Sequence, residues 1–458
     1  MGQTSIFDIM YPKYKITKPI RLIELFGGYG SQALALKYLG VKFEYWKLVE
    51  WAVKSIQAYK DIHFTNEENH LGDDLTKDDL VYILHQLGIS QNYNEPMSKE
   101  QINRLNEEHL RKIWNNIIIT NNLVNIQQVN GRDLEIIDTD KYDYIMTYSF
   151  PCQDLSLAGK GRGMSDTSTR SGLLWEVERI LTECKELGTM PQILLMENVP
   201  QVHGIDNMAD FHKWQMRLEE LGYKSYWQDL IATDYEIPQT RNRCFMISIL
   251  GDYSYTFPKP IPLKLKLKDM LENNAGEKYF LTNKQIKDIQ SWNAYEKPLE
   301  TIDKDISKTL TTRSGDYTSG MQLVKWIGTY QYAKSDSFMQ GKDRLQLGKE
   351  TSDTLQTTQK EGVVILGNYS KSNHNASRIV NQEYSAPTVM ENHGTITATQ
   401  TDDLRIRKLT PKECFRLMGV KDEDYEKCAK NQSDSSLYHL AGDSIVVNVL
   451  MAIFKELL

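Results

Sequence analysis

The chain has 458 residues, 40% hydrophobic and 25% charged, so it can bury a sizeable core and is too long for one average domain. Basic residues number 54 against 61 acidic ones, and the net charge of −7 excludes a histone-like coat protein. The charge is −8 over residues 1–250 and +2 over 251–400, so if the protein has a nucleic-acid partner, the middle segment is where contact is expected. Five cysteines without a Cys-x-x-Cys pair argue against disulfides and a cysteine-rich zinc site.

The first half of the chain alternates between strand-like and helix-like patterns. An apolar run over 20–26 breaks at glycines and continues as a helical pattern over 31–39. A second apolar run over 43–49 is followed by helical spacing from residue 52. Further strands are predicted at 142–148, 192–196 and 244–250, and further helices at 173–187 and 211–221. This order predicts an α/β domain with a mostly parallel sheet wrapped by helices.

The texture of the sequence predicts the domain boundaries. Residues 65–128 are polar with helical spacing, and we interpret them as a helical insertion of unknown role. After Gly251 the sequence becomes rich in Thr, Ser, Gly and Gln with short β-type runs, and the apolar helical pattern returns after residue 404. The predicted division is therefore 1–250 for the α/β domain, 251–404 for a smaller, mostly β module, and 405–458 for a return to the first domain.

A glycine turn and an acidic residue follow the first two predicted strands. The segment Phe26-Gly-Gly-Tyr-Gly30 links a strand to a helix, where a ligand can approach the backbone at a helix amino terminus. Glu50 ends the second strand, where a carboxylate can accept hydrogen bonds from ribose hydroxyls. Alone, each feature also fits an ordinary turn or a solvated carboxylate; together they favour an adenosine-type ligand.

Reactive side chains lie next to three later strands. Cys152 follows a strand at the sheet edge where open α/β sheets place their chemistry, and a loop cysteine there can be a nucleophile or a small buried hydrophobe. Glu197, after the next strand, can act as an acid or an acceptor in the same cleft. Arg241 and Arg243 alternate before a further strand and suit phosphate, carboxylate or a base carbonyl. Ordinary ion pairs are the alternative for all three charged residues.

The set of motifs, taken in order, resembles the DNA cytosine-5 methyltransferases. The motifs are Phe26-Gly-Gly-Tyr-Gly, Phe150-Pro-Cys-Gln, Glu197-Asn-Val, Gln239-x-Arg-x-Arg, Arg407-Lys-Leu-Thr-Pro-Lys-Glu-Cys-Phe-Arg-Leu-Met-Gly and Ala441-Gly-Asp-Ser-Ile-Val-Val. The resemblance implies an α/β fold with a Rossmann-like S-adenosylmethionine-dependent methyltransferase domain, whose sheet is mixed and mostly parallel. It also implies that the mostly β module at 251–404 is the target recognition domain.

The resemblance further implies S-adenosylmethionine as methyl donor, S-adenosylhomocysteine as product, and no metal. Glu50 is expected on the ribose and Trp51 against the adenine, whose amino group Asp133 would contact, with Asp73 as a rival. The residues expected to hold the cofactor are Phe26, Gly27, Gly28, Tyr29, Gly30, Glu50, Trp51, Asp133, Pro151 and Ser444.

By the same resemblance, Cys152 adds to C6 of a flipped-out cytosine, and the methyl group goes to C5. Glu197 would hold N3 and the exocyclic amine, Arg243 would hold O2, and Arg241 would support the thiolate region. The residues expected to contact DNA are Gln153, Ser156, Lys160, Arg162 and Gln239.

The implied partner is double-stranded DNA, and a cognate restriction endonuclease is left open. We expect a cytoplasmic protein, because the cysteine pattern fits a reducing compartment, and we expect it to act as a monomer. We expect no membrane span, because no run of about 18 apolar residues is present. An RNA cytosine-5 methyltransferase and a catalytically silent DNA-binding homologue are the alternatives. A nicotinamide-dependent oxidoreductase would share the glycine turn but would not explain the cysteine, glutamate and arginine motifs together.

Overall fold

The computed structural model describes residues 11–151, 170–280, 282, 323–327, 365–368, 378–380 and 404–458. The described residues fall into two units. The first contains residues up to Met270 together with Pro411–Leu458, and the second contains the described residues from Leu271 to Thr410. The first unit thus extends 20 residues past Leu250, where the sequence had placed a boundary.

A six-stranded mixed sheet organises the first unit. Its order is β2-β1-β3-β4-β6-β5, and only β6 runs opposite to the others among the described strands. This confirms the predicted mixed, mostly parallel sheet. The edge strand β5 was not predicted, because its residues are mainly polar and aromatic. Only two of its nine residues are buried. The strands are β1 Ile20–Leu25, β2 Phe43–Val49, β3 Asp143–Tyr148, β4 Ile193–Asn198, β5 Tyr223–Ile231 and β6 Asn242–Leu250.

Helices cover both the sheet and its ends. In β1, β3 and β4 every residue is buried, which explains why these strands appear in the sequence as continuous apolar runs. The helices are α1 Ser31–Tyr38, α2 Val53–His63, α3 Lys77–Leu87, α4 Lys99–Asn103, α5 Glu107–Ile119, α6 Leu174–Leu187, α7 Met208–Leu221, α8 Pro411–Leu417, α9 Asp422–Ala429, α10 Asp434–Asp443 and α11 Val447–Leu457.

The predicted insertion forms α3, α4 and α5 around a small core of its own. Capping boxes at Thr76 and Ser98 fix the starts of α3 and α4 by satisfying backbone donors that have no partner inside the helix. The insertion is also joined to the main sheet through backbone hydrogen bonds. The amide of Ser90 donates to the Trp51 carbonyl at 2.8 Å, and the Val53 amide donates to the Ser90 carbonyl at 2.9 Å.

The carboxyl-terminal helices complete the core of the first unit. In α11 the apolar side chains from Val447 to Leu457 are largely buried, and this helix packs against α1. The stretch Asp434–Leu457 has the length and mean hydropathy of a membrane span, but 78% of its most apolar window is buried inside the protein. That burial is what core helices of a folded domain show.

The described part of the second unit consists mainly of short antiparallel strands. Strand β7, Leu323–Ile327, pairs with β10, Leu404–Lys408. Strand β8, Ile365–Asn368, pairs with β9, Arg378–Val380. These pairs agree with the β-type texture of the sequence between 251 and 404.

Candidate active site

A cavity of about 630 Å³ lies in the first unit, where the parallel strands β1 to β4 reach their carboxyl ends. Because β6 runs in the opposite direction, its beginning lies at this same edge. The connection between α10 and α11 forms another wall. The volume is in the range of small-molecule sites, and the position is the usual one for ligands of open α/β sheets.

The turn after β1 supplies the floor of the cavity. Phe26 has φ 58°, which is strained for an aromatic residue, and its amide donates to the Val49 carbonyl at 2.8 Å. Gly28 has φ 56°, and a Cβ there would meet nothing within 4 Å, so its backbone is open to a ligand. Gly30 differs: it does not line the cavity, and a Cβ on it would lie 2.4 Å from Nε2 of His63.

Glu50 bridges the glycine turn and the start of α2. One carboxylate oxygen accepts from the Gly28 amide at 3.0 Å, and the other accepts from the Ala52 amide at 2.7 Å. Burial raises the pKa of Glu50 to about 7, although these backbone donors oppose the rise. Trp51 follows directly, lines the cavity and packs against the core of the insertion.

The wall beyond Trp51 differs from the sequence expectation. Asp133 does not line the cavity and instead accepts a hydrogen bond from the Asn130 amide at 2.9 Å, while Asp73 is exposed and pairs with His70. The cavity wall is formed by Val124–Gln127, including the buried Asn125. The insertion causes the difference, because the chain leaving α5 pairs with the end of β2, where the Leu123 amide donates to the Leu48 carbonyl at 2.8 Å.

An acid and two arginines meet at the other end of the cavity. Oε1 of Glu197 lies 3.2 Å from Nε of Arg243. Arg241 is buried and donates from Nη2 to the carbonyls of Gly442 and Ser444, at 3.1 and 2.7 Å. The alternate spacing of the arginines thus brings both to Glu197, as the sequence predicted for their facing.

The electrostatics of this cluster follow from its burial. Burial raises the pKa of Glu197 above its ordinary value, and the positive charges of Arg243 and then Arg241 oppose the rise. Burial lowers the pKa of Arg241 to about 9, with Arg243 adding to the effect and Glu197 opposing it. Arg241 therefore keeps its charge at neutral pH.

Pro151 also lines the cavity, directly before the predicted nucleophile. Nδ2 of Asn198 donates to the Phe150 carbonyl at 3.0 Å and so ties the end of β4 to this segment. This role of Asn198 was not predicted, although Asn198 lies inside the Glu197-Asn-Val motif. Five predicted site residues lie outside the described residues: Cys152, Gln153, Ser156, Lys160 and Arg162.

Gln239 was expected to contact DNA, and its position does not support that expectation. Its side chain is fully buried, and Nε2 donates to the Leu417 carbonyl at 2.6 Å. A buried amide that holds α8 to the segment before β6 offers no surface to a duplex. The pattern Gln-x-Arg-x-Arg thus combines one packing residue with the two arginines of the cavity.

Ser444 and the residues around it form the wall next to the glycine turn and the start of α1, where the Ile445 amide donates to Oγ of Ser31 at 3.4 Å. Ser444 lines the cavity, and its hydroxyl donates to the Ala441 carbonyl at 3.0 Å. Asp443, which stands where the family usually has Asn, lines the same wall and is exposed.

Two further aromatic residues, Tyr93 and His439, line the cavity and were not predicted. Their rings are in contact in a tilted arrangement, with centroids 4.1 Å apart. Tyr93 belongs to the insertion and His439 to α10, so their meeting depends on contacts between segments far apart in the chain. No periodicity or motif in the sequence indicates such a pair.

A separate cluster joins His203, Asp229 and Cys244, whose ligand atoms lie within 4.8 Å of one another. His203 Nε2 lies 2.8 Å from Asp229 Oδ1, and this contact fastens the turn after β4 to the edge strand β5. The three residues are not part of the cavity lining.

These features define an α/β enzyme with a small-molecule site, in which a glycine turn and a strand-end glutamate lie across one cavity from a buried acid and two arginines. The chain belongs to the family of C-5 cytosine-specific DNA methylases, whose model matches residues 85–458. Curated relatives support the family, and solved structures support the fold.

Type II methyltransferase M2.ScrFI from Lactococcus lactis subsp. cremoris is 31% identical over 96% of this chain and 99% of its own length. Orphan methyltransferase M.SssI from Spiroplasma monobiae is 35% identical over 58% of this chain and 68% of its own length. The fold resembles the Entamoeba histolytica methyltransferase EhMeth, with a TM-score of 0.57 at 13% identity, covering 96% of this chain and 98% of that one. It also resembles the S. pombe Dnmt2 methyltransferase, with a TM-score of 0.54 at 14% identity, covering 96% and 98%.

The protein is therefore a DNA cytosine-5 methyltransferase, and its substrate is DNA. The family implies S-adenosylmethionine as the methyl donor.

Proposed function

We propose that this enzyme methylates C5 of a cytosine within one short sequence of double-stranded DNA, with Cys152 as the nucleophile. The observation that supports this most is the convergence of two half-sites on one cavity. The glycine turn, Glu50 and Trp51 line one end, and Glu197 with Arg241 and Arg243 lines the other, next to Pro151. A methyl donor and a base can therefore meet between them.

The residues at the first end fit an adenosine-type methyl donor. The open backbone of Gly28 gives room for the methionine part, with Phe26, Gly27, Tyr29 and Ser444 around it. The carboxylate of Glu50 faces the cavity as a ribose acceptor, and Trp51 offers a ring for the adenine. We propose Asn125 for the adenine amino group in place of Asp133, because Asn125 lines the cavity and its Oδ1, which accepts from the Gln127 amide at 3.1 Å, has a second lone pair for that amino group. When bound, S-adenosylmethionine supplies an electrophilic methyl group.

The chemistry proposed for the second end uses the cluster of acid and arginines. The thiolate of Cys152 bonds to C6 of the cytosine, which makes C5 nucleophilic enough to take the methyl group. Glu197, whose pKa is raised by burial, holds a proton toward N3 and accepts from the exocyclic amine. Arg243 binds O2, and Arg241 holds the wall at Ser444. The C5 proton then leaves to solvent, and the bond between Cys152 and C6 breaks.

A cytosine inside a duplex cannot reach this cavity, so the target base must be flipped out. We propose that Gln153, Ser156, Lys160 and Arg162 contact the DNA around the vacated position. We also propose residues 251–404 as the target recognition domain and 405–458 as the segment that completes the catalytic domain. Base contacts in the major groove would then come from the second unit.

The finer assignments of partner and compartment are also proposals. We propose that the enzyme acts as a monomer in the cytoplasm and uses no metal. A cognate restriction endonuclease is one proposed partner, because one relative is named as a type II methyltransferase. Another relative is named as an orphan, so the two cases have to be separated by experiment. Digestion of unmethylated and self-methylated DNA by extracts of the source cells tests for such a nuclease.

Expression in a host without DNA methylation, followed by bisulfite sequencing of its genome, tests the proposed function. We expect 5-methylcytosine confined to one short motif, and none with the Cys152→Ser variant. Methylation by that variant would refute the nucleophile. Soluble wild-type protein that binds cofactor and leaves the genome unmethylated would favour RNA as the substrate, or a silent DNA-binding protein, and competition with RNA separates those two.

A further inference from the structure

The loop that links α3 to α4 is built to present one aromatic side chain. The hydroxyl of Ser90 donates to the Glu95 carbonyl at 2.7 Å, and Oδ1 of Asn92 accepts from the amides of Asn94 and Glu95 at 3.0 and 3.2 Å. Between them, Tyr93 adopts φ 62°, which an aromatic residue accepts only when its surroundings impose it. The loop therefore fixes where Tyr93 points.

Tyr93 points into the cavity and is held there from two sides. Its ring contacts the ring of His439 in a tilted arrangement, with the centroids 4.1 Å apart and the planes inclined by 31°. Its hydroxyl lies 3.4 Å from Oγ of Ser55, at the start of α2. All three residues line the cavity, as do Asn92 and the backbone of the loop up to Pro96. Two rings in contact in this way hold each other in place, so this part of the cavity wall is rigid.

The position of Tyr93 is on the ribose side of the cavity. Its partner Ser55 lies in the first turn of α2, and the residue before that helix, Ala52, donates its amide to the carboxylate of Glu50 at 2.7 Å. The same loop is joined to the adenine side, because the Ser90 backbone pairs with Trp51 and Val53. The insertion thus touches both halves of an adenosine site through one short segment.

We propose that the insertion is part of the cofactor site and that Tyr93, supported by His439, is a binding residue that slows release of the adenosine-type cofactor. This inference rests on the proposed function, since it assigns the cavity to S-adenosylmethionine. The ring of Tyr93 slows release by covering the ribose side of the cavity, and its hydroxyl contributes little to binding. The insertion does not contribute to DNA affinity through this residue.

Calorimetry and stopped-flow dissociation of S-adenosylhomocysteine from the full-length protein test the inference. We expect the Kd of Tyr93→Ala to rise about tenfold, with faster dissociation, and that of Tyr93→Phe to stay within about twofold of wild type. Tyr82→Ala is the matched control, because Tyr82 lies on α3 of the same insertion, is 60% exposed and is not part of the cavity lining. Its Kd should not change.

His439→Ala provides a second variant should Tyr93→Ala fail to fold. It should weaken binding in the same direction, and the double variant should bind no more weakly than Tyr93→Ala alone, because the two rings act as one unit. Wild-type affinity in Tyr93→Ala, or in His439→Ala when only that variant folds, overturns the inference and leaves the proposed function intact. A wild-type protein that does not bind S-adenosylhomocysteine refutes the assignment of the cavity and this inference together.

Discussion

Replacing Glu24 by Gln should make the protein more stable at alkaline pH without disturbing its structure. Glu24 is fully buried on β1, beneath the glycine turn. One carboxylate oxygen accepts from the Tyr59 hydroxyl at 2.6 Å, and the other accepts from the Ala33 amide at 3.3 Å. A glutamine can reproduce both contacts, since its oxygen can accept from Ala33 and its amide can donate to the oxygen of Tyr59.

The size of the effect follows from the pKa of Glu24. Burial raises that pKa from 4.5 to about 7, although the hydrogen bonds from Tyr59 and the backbone oppose the rise. Because the folded pKa is the higher one, the contribution of this group to stability is complete below the unfolded value and is lost as the pH rises through the folded value. The loss amounts to about 3 kcal/mol when both states are ionised. The glutamine variant does not suffer this loss.

Urea unfolding of both proteins at pH 5 and pH 8 measures the difference. The advantage of Glu24→Gln over wild type should grow by about 2.5 kcal/mol between these two conditions, because at pH 5 this group is already partly ionised in the unfolded state. Glu50, whose pKa is raised in the same way, contributes equally to both proteins and cancels. Glu219→Gln, at an exposed position of α7, controls for the change in net charge and should give no such trend. Parallel pH profiles for Glu24→Gln and wild type would refute the reasoning.

Three further variants probe the sheet, the turn and the site. Arg21→Lys should lower the free energy of unfolding by about 2 kcal/mol in urea titrations, because its guanidinium lies between the rings of Trp46 and Tyr142 at 3.7 and 3.6 Å, an arrangement that an ammonium matches poorly. Gly30→Ala should destabilise by about 2 kcal/mol or more, because φ is 83° and the new methyl group would collide with a side chain of α2; a Tm equal to wild type would contradict this. Glu197→Gln should lower kcat at least about 100-fold in methyl-transfer assays while S-adenosylhomocysteine binds as before, and a parallel loss of binding would show that Glu197 acts through the fold instead.

The elements that the sequence predicted are those whose signal is local. Strands β1, β3 and β4 are buried on both faces and are mainly apolar in sequence. Glu50 directly follows β2, whose last three residues are buried, and Glu197 lies near the end of β4. Parallel strands end at one edge of the sheet, so strand ends alone are enough to bring these acids to one cavity. The edge strand β5 was missed because one side of it stays near solvent and its sequence alternates weakly.

The contacts that the sequence could not predict are set by pairing between distant segments. Asp133 was chosen for the adenine by its distance along the chain from Cys152, but the backbone pairing of Leu123 with Leu48 brings Asn125 to the wall instead. Tyr93 is a similar case, since its partner His439 lies 346 positions further along the chain. The sequence alone assigns no role to the polar helices of the insertion. The structure shows which part of the backbone the insertion pairs with: Ser90 pairs with Trp51, the residue directly after Glu50, which is the proposed ribose-binding carboxylate.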